Sequence, residues 1–365
     1  MYEVYSKNEE GIIQTSYASI DKNFEQIWNI DNVVFTSGKN DEFDEKSAII
    51  GNNGDVFVLG ERDKTKGRKI ISSNYELIRL NEDGIETLNL RDDDLATFKI
   101  KDVILTQSTG NTVILSGYYY ADSKGSSAVK GVYIITLDSD NLEVINNTKN
   151  DFSFEFISKT WSKKKIEKTK KKGEEKESGI TSLYIKEVIN HDDGSTSLIG
   201  EKFWTTTRTT MGSDGSTSTS TTYHWENLII TRISKEGEII SHSRYVKHST
   251  RDDAFDIFVV GKNIFVVMLT KKIFFYHEDL KGMTKAERAK YAGWYFTASK
   301  IAPDGESEKY ILLDYTKPEY SKFRRYDHIG KNSIVIQNKK SVDLLVVTYK
   351  GSKKFALARF SFTKE

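Results

Sequence analysis

The run DDGSTSLIGEKFWTTTRTTMGSDGSTSTSTTYHWENLIITRISKEGEII, residues 192–240, reads as turn, strand, long excursion, strand, turn and the start of a third strand. Gly194 and Gly237 supply the permissive backbone of two tight turns. The β-branched and apolar alternation between them is strand chemistry. A unit this small is marginal alone, so it has to stack against copies of itself.

Copies run along the whole chain. Marking each apolar run and the Gly-bearing turn that follows it gives about six sheets. The first is YEVYS, IIQTSYASID and FEQIWNI; the second is KSAIIG, DVFVLGE, YELIRL and IETLNL. The third is FKIKDVILTQ, TVILSGYYY, GVYIITLD and LEVINN, and the fourth is SLYIKEVINH with the strands of the quoted run. The fifth is FDIFVVG, NIFVVML, WYFTASKIA and SEKYILLDY, and the last is SIVIQNKK, DLLVVTYKG and FALARFSF. Three- or four-stranded antiparallel units in series predict an all-β, β-propeller-like array forming one domain over residues 1–365. A pair of sandwiches would not repeat turn, strand, insertion and strand.

Three insertions break the rhythm. Residues 151–179 place Phe154, Ile157, Trp161 and Ile166 at helical spacing, followed by a lysine run and then acids, which predicts a helix with a mobile, solvated tether. Residues 205–222 alternate Thr and Ser about a Gly-rich tip and read as a long hairpin. Residues 277–293 hold Thr284 and Glu287 at capping-box spacing and predict a short helix.

Composition excludes several function classes. Lys and Arg number 54 against 53 Asp and Glu, so no global field draws in nucleic acid. The chain has no cysteine, which removes disulfides, thiolate metal sites and a Cys nucleophile together. No window of ~18 apolar residues is present to cross a bilayer. Met1 to Ile30 lacks the basic start and apolar core of a secretory signal; a strand begins at once, which fits a chain trimmed of its targeting segment.

The string DDGSTSLIGEKF, the Thr excursion closing in TTYHWENLIITRI, and then SKEGEI resemble an uncharacterised group of bacterial envelope proteins with propeller-like repeats and a Thr-rich hairpin insertion. The stretch DFSFEFISKTWSKKKIEKTKKKGEEKESGI one strand earlier is similar to theirs. The resemblance covers roughly residues 100 to 362, departs from the group at Trp225, where Tyr is more usual, and implies a fold and a periplasmic or extracellular location. It implies no reaction.

Catalytic signatures are missing: no G-x-S-x-G, H-E-x-x-H, P-loop or dinucleotide fingerprint occurs. The six histidines do not stand at spacings that pair two imidazoles, so no metal site is expected, and His242 and His248 read as surface residues. The Asp-rich clusters at residues 92–94, 138–140 and 192–193 sit at turns, where Asp bonds nearby backbone. No cofactor is called for. Trp204, Tyr223, His224 and Trp225 form an aromatic group at the base of the hairpin, read as a clamp or a binding surface. A propeller enzyme would instead gather carboxylates and basic groups where first strands meet the central channel. The residues there are Lys101, Asp102, Glu187, Asp253, Asp256, Asp327 and His328.

The expectation is a non-enzymatic binding or scaffold module of the bacterial envelope with a protein or glycan partner. The alternatives are a glycosidase-type propeller enzyme and a purely structural module of a larger assembly.

Overall fold

A computed structural model of the chain describes residues 2–7, 13–20, 23–33, 41–66, 69–90, 98–108, 110–120, 128–159, 161–211, 213–249, 255–277, 283–318, 328–329, 334–337, 341–350 and 354–363. Among these, six antiparallel sheets follow one another in chain order, a propeller-like array. The first holds β1 (Tyr2–Lys7), β2 (Ile13–Ile20) and β3 (Gln26–Val33). The second holds β4 (Asp41–Ile50), β5 (Val56–Lys66), β6 (Lys69–Asn81) and β7 (Gly84–Asn89). The third holds β8 (Ile100–Gln107), β9 (Thr112–Tyr120), β10 (Ala128–Asp138) and β11 (Val144–Asp151), with β12 (Ile180–Thr181) added beside β10. The fourth holds β13 (Leu183–Asn190), β14 (Thr196–Met211), β15 (Thr217–Ile233) and β16 (Ile239–Ser249). The fifth holds β17 (Phe255–Val260), β18 (Asn263–Lys271), β19 (Trp294–Ile301) and β20 (Ser307–Asp314). The sixth holds β21 (His328–Ile329), β22 (Ile334–Gln337), β23 (Ser341–Lys350) and β24 (Lys354–Thr363).

The second strands β5, β9, β14 and β18 are buried on both faces where they lie within their sheets, and their two-residue period sends alternate side chains into different cores. Val56 and Val58 join Tyr17 and Trp28 of the first sheet, whereas Phe57 and Leu59 join Val103 and Leu115 of the third. Ile114 faces Leu183 and Leu198 of the fourth sheet, and Ile199 faces Ile264 and Val266 of the fifth. Four cores thus each belong to two neighbouring sheets, and among the described residues a fifth, around Phe258, Phe265 and Phe296, is built from the fifth sheet alone.

One turn recurs at four joints. The amides of Gly54, Gly194, Gly237 and Gly305 each donate to the carbonyl three residues back, at 2.9 Å. At Gly237 φ is +92°, and an added Cβ would fall 1.8 Å from Thr148 Oγ1 of the third sheet. Glycine is required there by conformation and by close approach together. Asp193 and Asp304 accept the backbone amide two residues on, so these acids are turn formers, as expected.

Arginines at matching positions on third strands then tie sheet to sheet. Arg79 bonds Asp55 at 2.6 Å and the carbonyl of Asp140 in the next sheet. Arg232 bonds Ser195 at 2.9 Å, Asp193 at 2.9 Å and the carbonyl of Lys262 in the next sheet at 3.1 Å.

The insertions differ from expectation in part. Residues 151–179 hold two helices, α1 (Phe154–Ser158) and α2 (Lys163–Lys172), where one helix and a mobile tether were expected. Ser162 caps α2 at its start, Gly173 ends it in the left-handed region, and lysine is a good helix former, so the lysine run is helical. The third insertion contains the predicted helix as α4 (Lys285–Ala289), with the Thr284–Glu287 capping box closed, and an unforeseen α3 (Lys272–Tyr276) lies just ahead of the insertion. Sheets three and six have one strand more than predicted, the short β12 and β21. Among the described residues no helix is long and apolar enough to cross a membrane.

Glu201 on β14 and Lys247 on β16 are both fully buried and form an ion pair across β15. Lys247 also lies 4.6 Å from the Phe255 ring centre on β17. Glu201 is also met by Lys186 at 3.1 Å, so removing Lys247 leaves it one partner, whereas removing Glu201 leaves Lys247 a buried cation without its carboxylate. Glu201→Leu is expected to cost about 3 kcal/mol, and Glu201→Leu with Lys247→Met to recover most of that loss. Urea unfolding of the single and double variants checks this through their coupling.

Candidate functional site

First strands β4, β8, β13 and β17 occupy one end of each sheet, and β8 packs against both β4 and β13. Three of them carry a bulge, and the residue turned aside is a lysine each time. Lys46 is skipped between Glu45 and Ser47, Lys101 between Ile100 and Asp102, and Lys186 between Ile185 and Glu187. A bulge re-aims the side chain it frees from the ladder.

In the second and fourth sheets a Gly-Glu pair on the neighbouring strand answers the lysine. Glu61 lies 3.4 Å from Lys46, and Glu201 lies 3.1 Å from Lys186. The third sheet has Gly117-Tyr118 there instead, so Lys101 lies over two tyrosine rings, 4.1 Å from Tyr184 and 5.8 Å from Tyr120. Burial pulls the Lys101 amine below its ordinary value, against Asp102 and Glu61, which favour the charged form.

The carboxylates expected at this end are partly assembled. Asp102 accepts the Ile185 amide of the next sheet at 2.9 Å and the Val103 amide at 3.1 Å. Burial nonetheless raises its carboxyl above the ordinary range, the two amides and the lysines 101 and 46 opposing. Glu187 is raised by loss of solvation among the first strands and then by the charge of Asp256 on β17. Asp253 and Asp327 lie outside the described residues, and of His328 only the strand backbone is described. Among the described residues no cluster of His, Asp and Glu could hold a metal ion.

The hairpin is an outward continuation of β14 and β15. Its register slips at Lys202 and Glu226, which pair at 3.3 Å where the ribbon leaves the sheet. Beyond that point period-2 geometry divides the four aromatic residues expected to form one group. Phe203, Tyr223 and Trp225 share one face, with centroids 6.3 Å apart for Phe203–Tyr223, 5.6 Å for Tyr223–Trp225 and 5.0 Å for Phe203–Trp225. Trp204 and His224 stack at 5.1 Å on the other face, where Thr206 Oγ1 meets His224 Nε2 at 3.0 Å and Lys202 covers the indole at 4.7 Å. Tyr184 lies 6.3 Å from Phe203 and extends the first face down to Lys101 and Tyr120.

The result is one strip of rings, Tyr120, Tyr184, Phe203, Trp225 and Tyr223, beside the lysines and acids of the first strands. Tyr223 is 48% exposed and Tyr184 39%. Phe203, Tyr184 and the bulge lysines 46 and 186 were not singled out from sequence; the Gly-Glu pairs at residues 60–61 and 200–201 were the signal available.

No family model matches this chain, and no curated protein does. Solved structures similar to it include a polysaccharide lyase at 9% identity, covering 96% of this chain and 68% of that one with a TM-score of 0.36. A GH43_1 enzyme from Xanthomonas citri complexed with xylose is 9% identical, with 87% and 86% covered and a TM-score of 0.33. A protein of unknown function from Bacteroides caccae is 9% identical, with 85% and 79% covered and a TM-score of 0.26. Likeness at this level carries no argument about chemistry.

Because its folded carboxyl is raised above the ordinary 4.5, Glu187 favours folding below that value, and the contribution is lost as pH rises through the raised one. Glu187→Gln is expected to melt above the wild type at neutral pH and to match it near about pH 4. Thermal unfolding across that range checks this; a pH-independent difference would rule out an electrostatic origin.

Proposed function

We propose that this chain is a carbohydrate-binding module of the bacterial envelope, holding a glycan along the strip from Tyr120 through Tyr184 and Phe203 to Trp225 and Tyr223. The observation that carries the reading is the set of partly exposed, mutually stacked rings on one face of the hairpin, continuous with Tyr184. Sugar rings present flat C–H faces that lie on aromatic faces, which carry negative charge density. Contiguous exposed apolar surface of this kind marks a binding site. The lysines and carboxylates at the inner end supply hydroxyl-bonding groups that fix orientation. Of the three bulge lysines, Lys101 is the one that lies over tyrosine rings instead of against a glutamate.

A second reading, a glycosidase, is favoured by one observation: Glu187 is raised while its neighbour Asp256 is a second acid, the division of roles that glycoside hydrolysis uses.

Titration with oligosaccharides selected on a glycan array tests both. Trp225→Ala and Tyr184→Ala are each expected to weaken binding about tenfold, roughly 1.4 kcal/mol. Trp204→Ala, on the opposite face, is expected to leave affinity within about twofold. Equal losses on both faces, or none, would remove the strip from the site. Product release that stops in Glu187→Gln with binding retained would establish the second reading.

A further inference from the structure

The helix α2, Lys163–Lys172, reads KKKIEKTKKK, seven lysines and one glutamate. The chain as a whole is balanced at a net charge of +1, so this helix is a local concentration of positive charge and not part of a general field. It is also an ordered one, because Ser162 accepts the Lys165 amide at its start and Gly173 closes its end.

Helical periodicity sorts the side chains. Ile166 is half-buried and Thr169 buried, which fixes the face turned to the protein. Lys164, Lys168 and Lys171, spaced four and three residues apart, form the stripe opposite that face, and all three are exposed. Lys172 has Glu174 at 3.2 Å, and Lys165 lies on the Trp161 ring at 3.6 Å. Among the described residues the three lysines of the stripe have no acid within ion-pair distance, Glu167 included. Glu174, Glu175 and Glu177 come after Gly173, where the chain has left the helix.

This arrangement works against the helix by itself. Lysines at i, i+3 and i, i+4 repel one another. Lys163, Lys164 and Lys165 occupy the first turn, the positive end of the helix dipole, with no acid among them. Burial, then Lys202, pull the Lys165 amine below its ordinary value, so the positive field reaches the base of the hairpin. Lys202 covers Trp204 there, on the hairpin face opposite Tyr223 and Trp225. A partner of α2 and a glycan on the aromatic strip would therefore use different faces.

We infer that α2 docks the protein on a bilayer containing anionic lipid. A cluster of roughly four to eight basic residues on one helix suits a negatively charged lipid surface. A stripe about 15 Å long lies flat along such a surface, and the flexible lysine stem lets each ammonium reach its own headgroup phosphate. A nucleic acid fits less well. The outward face carries no arginine fork, aromatic ring or amide with which to grip a phosphate bidentately, stack a base or read a base edge. Trp161 is engaged by Phe154 and Lys165.

Sedimentation with vesicles tests this, using phosphatidylcholine alone and an equimolar mixture of phosphatidylcholine and phosphatidylglycerol. The mixed vesicles are expected to bind the protein at low ionic strength and to release it as salt rises to about 1 M, where the Debye length is about 3 Å. Phosphatidylcholine alone is expected to leave it in solution. Lys164→Gln, Lys168→Gln and Lys171→Gln combined are expected to weaken partitioning about a hundredfold. Glutamine keeps the helix propensity and relieves the repulsion, so this variant is expected to melt no lower than the wild type. Arginine at the same three positions keeps the charge and is expected to bind within about twofold. Lys235→Gln, Lys285→Gln and Lys290→Gln combined remove as much charge from exposed positions elsewhere and are also expected to bind within about twofold. Equal losses in the two glutamine variants, equal binding to both vesicle types, or no binding to the mixed vesicles would each overturn the assignment. Duplex DNA held more tightly than the mixed vesicles at the same salt, and lost in the α2 glutamine variant, would overturn it in favour of nucleic acid.

Discussion

The structure depends on side chains of one strand belonging to two cores. Val56 and Phe57 are adjacent in sequence, yet the first packs on the first sheet and the second on the third. Ile199 and Leu198 divide in the same way between the fifth and third sheets. No sheet in the middle of the array can bury its apolar surface without both neighbours, so stability is shared along the chain, as in other repeat architectures. The polar joints reinforce the same arrangement. Arg79 and Arg232 each reach from a third strand into the turn of their own sheet and onto a carbonyl of the next.

That constraint also places the chemistry. With second and third strands committed to packing, the first strands are edge strands that meet one another where β8 packs on β4 and β13. Bulges there free lysines 46, 101 and 186 from the ladder without disturbing the buried strand beside them. Where the next strand offers Glu61 or Glu201, the lysine is neutralised; where it offers tyrosine, Lys101 lies on aromatic rings instead. A one-residue difference in a repeated position thus separates structural ion pairing from an available charge. Desolvation in the same region raises Asp102 and Glu187, so the acids there are poised differently from those at the turns, where Asp193 is lowered by its bond to Ser195.

The hairpin departs from the sheet at a slip in register, and beyond it the strand residues are half-buried at the base and exposed towards the tip. Its two faces differ accordingly. Trp204, His224 and Thr206 contact one another on one face, and Phe203, Tyr223 and Trp225 contact one another on the other.

Much of the fold was legible in the residues themselves. Runs such as VFVLG, TVILSG and NIFVVM, each preceded by a Gly-bearing turn, specify strands through local period and turn chemistry, and these act over a few residues. The same grammar located Asp102, Glu187 and Asp256 on first strands. It could not locate the bulges, because a bulge is a property of register between two strands and not of either one. It grouped Trp204 with Tyr223 and Trp225, although register assigns them to opposite faces. The lysine run was misjudged because its charge outweighed, in the reading, its helix propensity and its Ser162 and Gly173 caps. A cavity lined by Lys159, His242 and Arg244, where His242 packs on Phe156 instead of standing at the surface as expected, was invisible in sequence, since those residues meet only when α1 folds back onto β16. Sequence by itself determined the strands, their turns and their order, because short-range sterics and period decide those; which side chains share a face, a charge or a cavity was decided only by the packing of one sheet against the next.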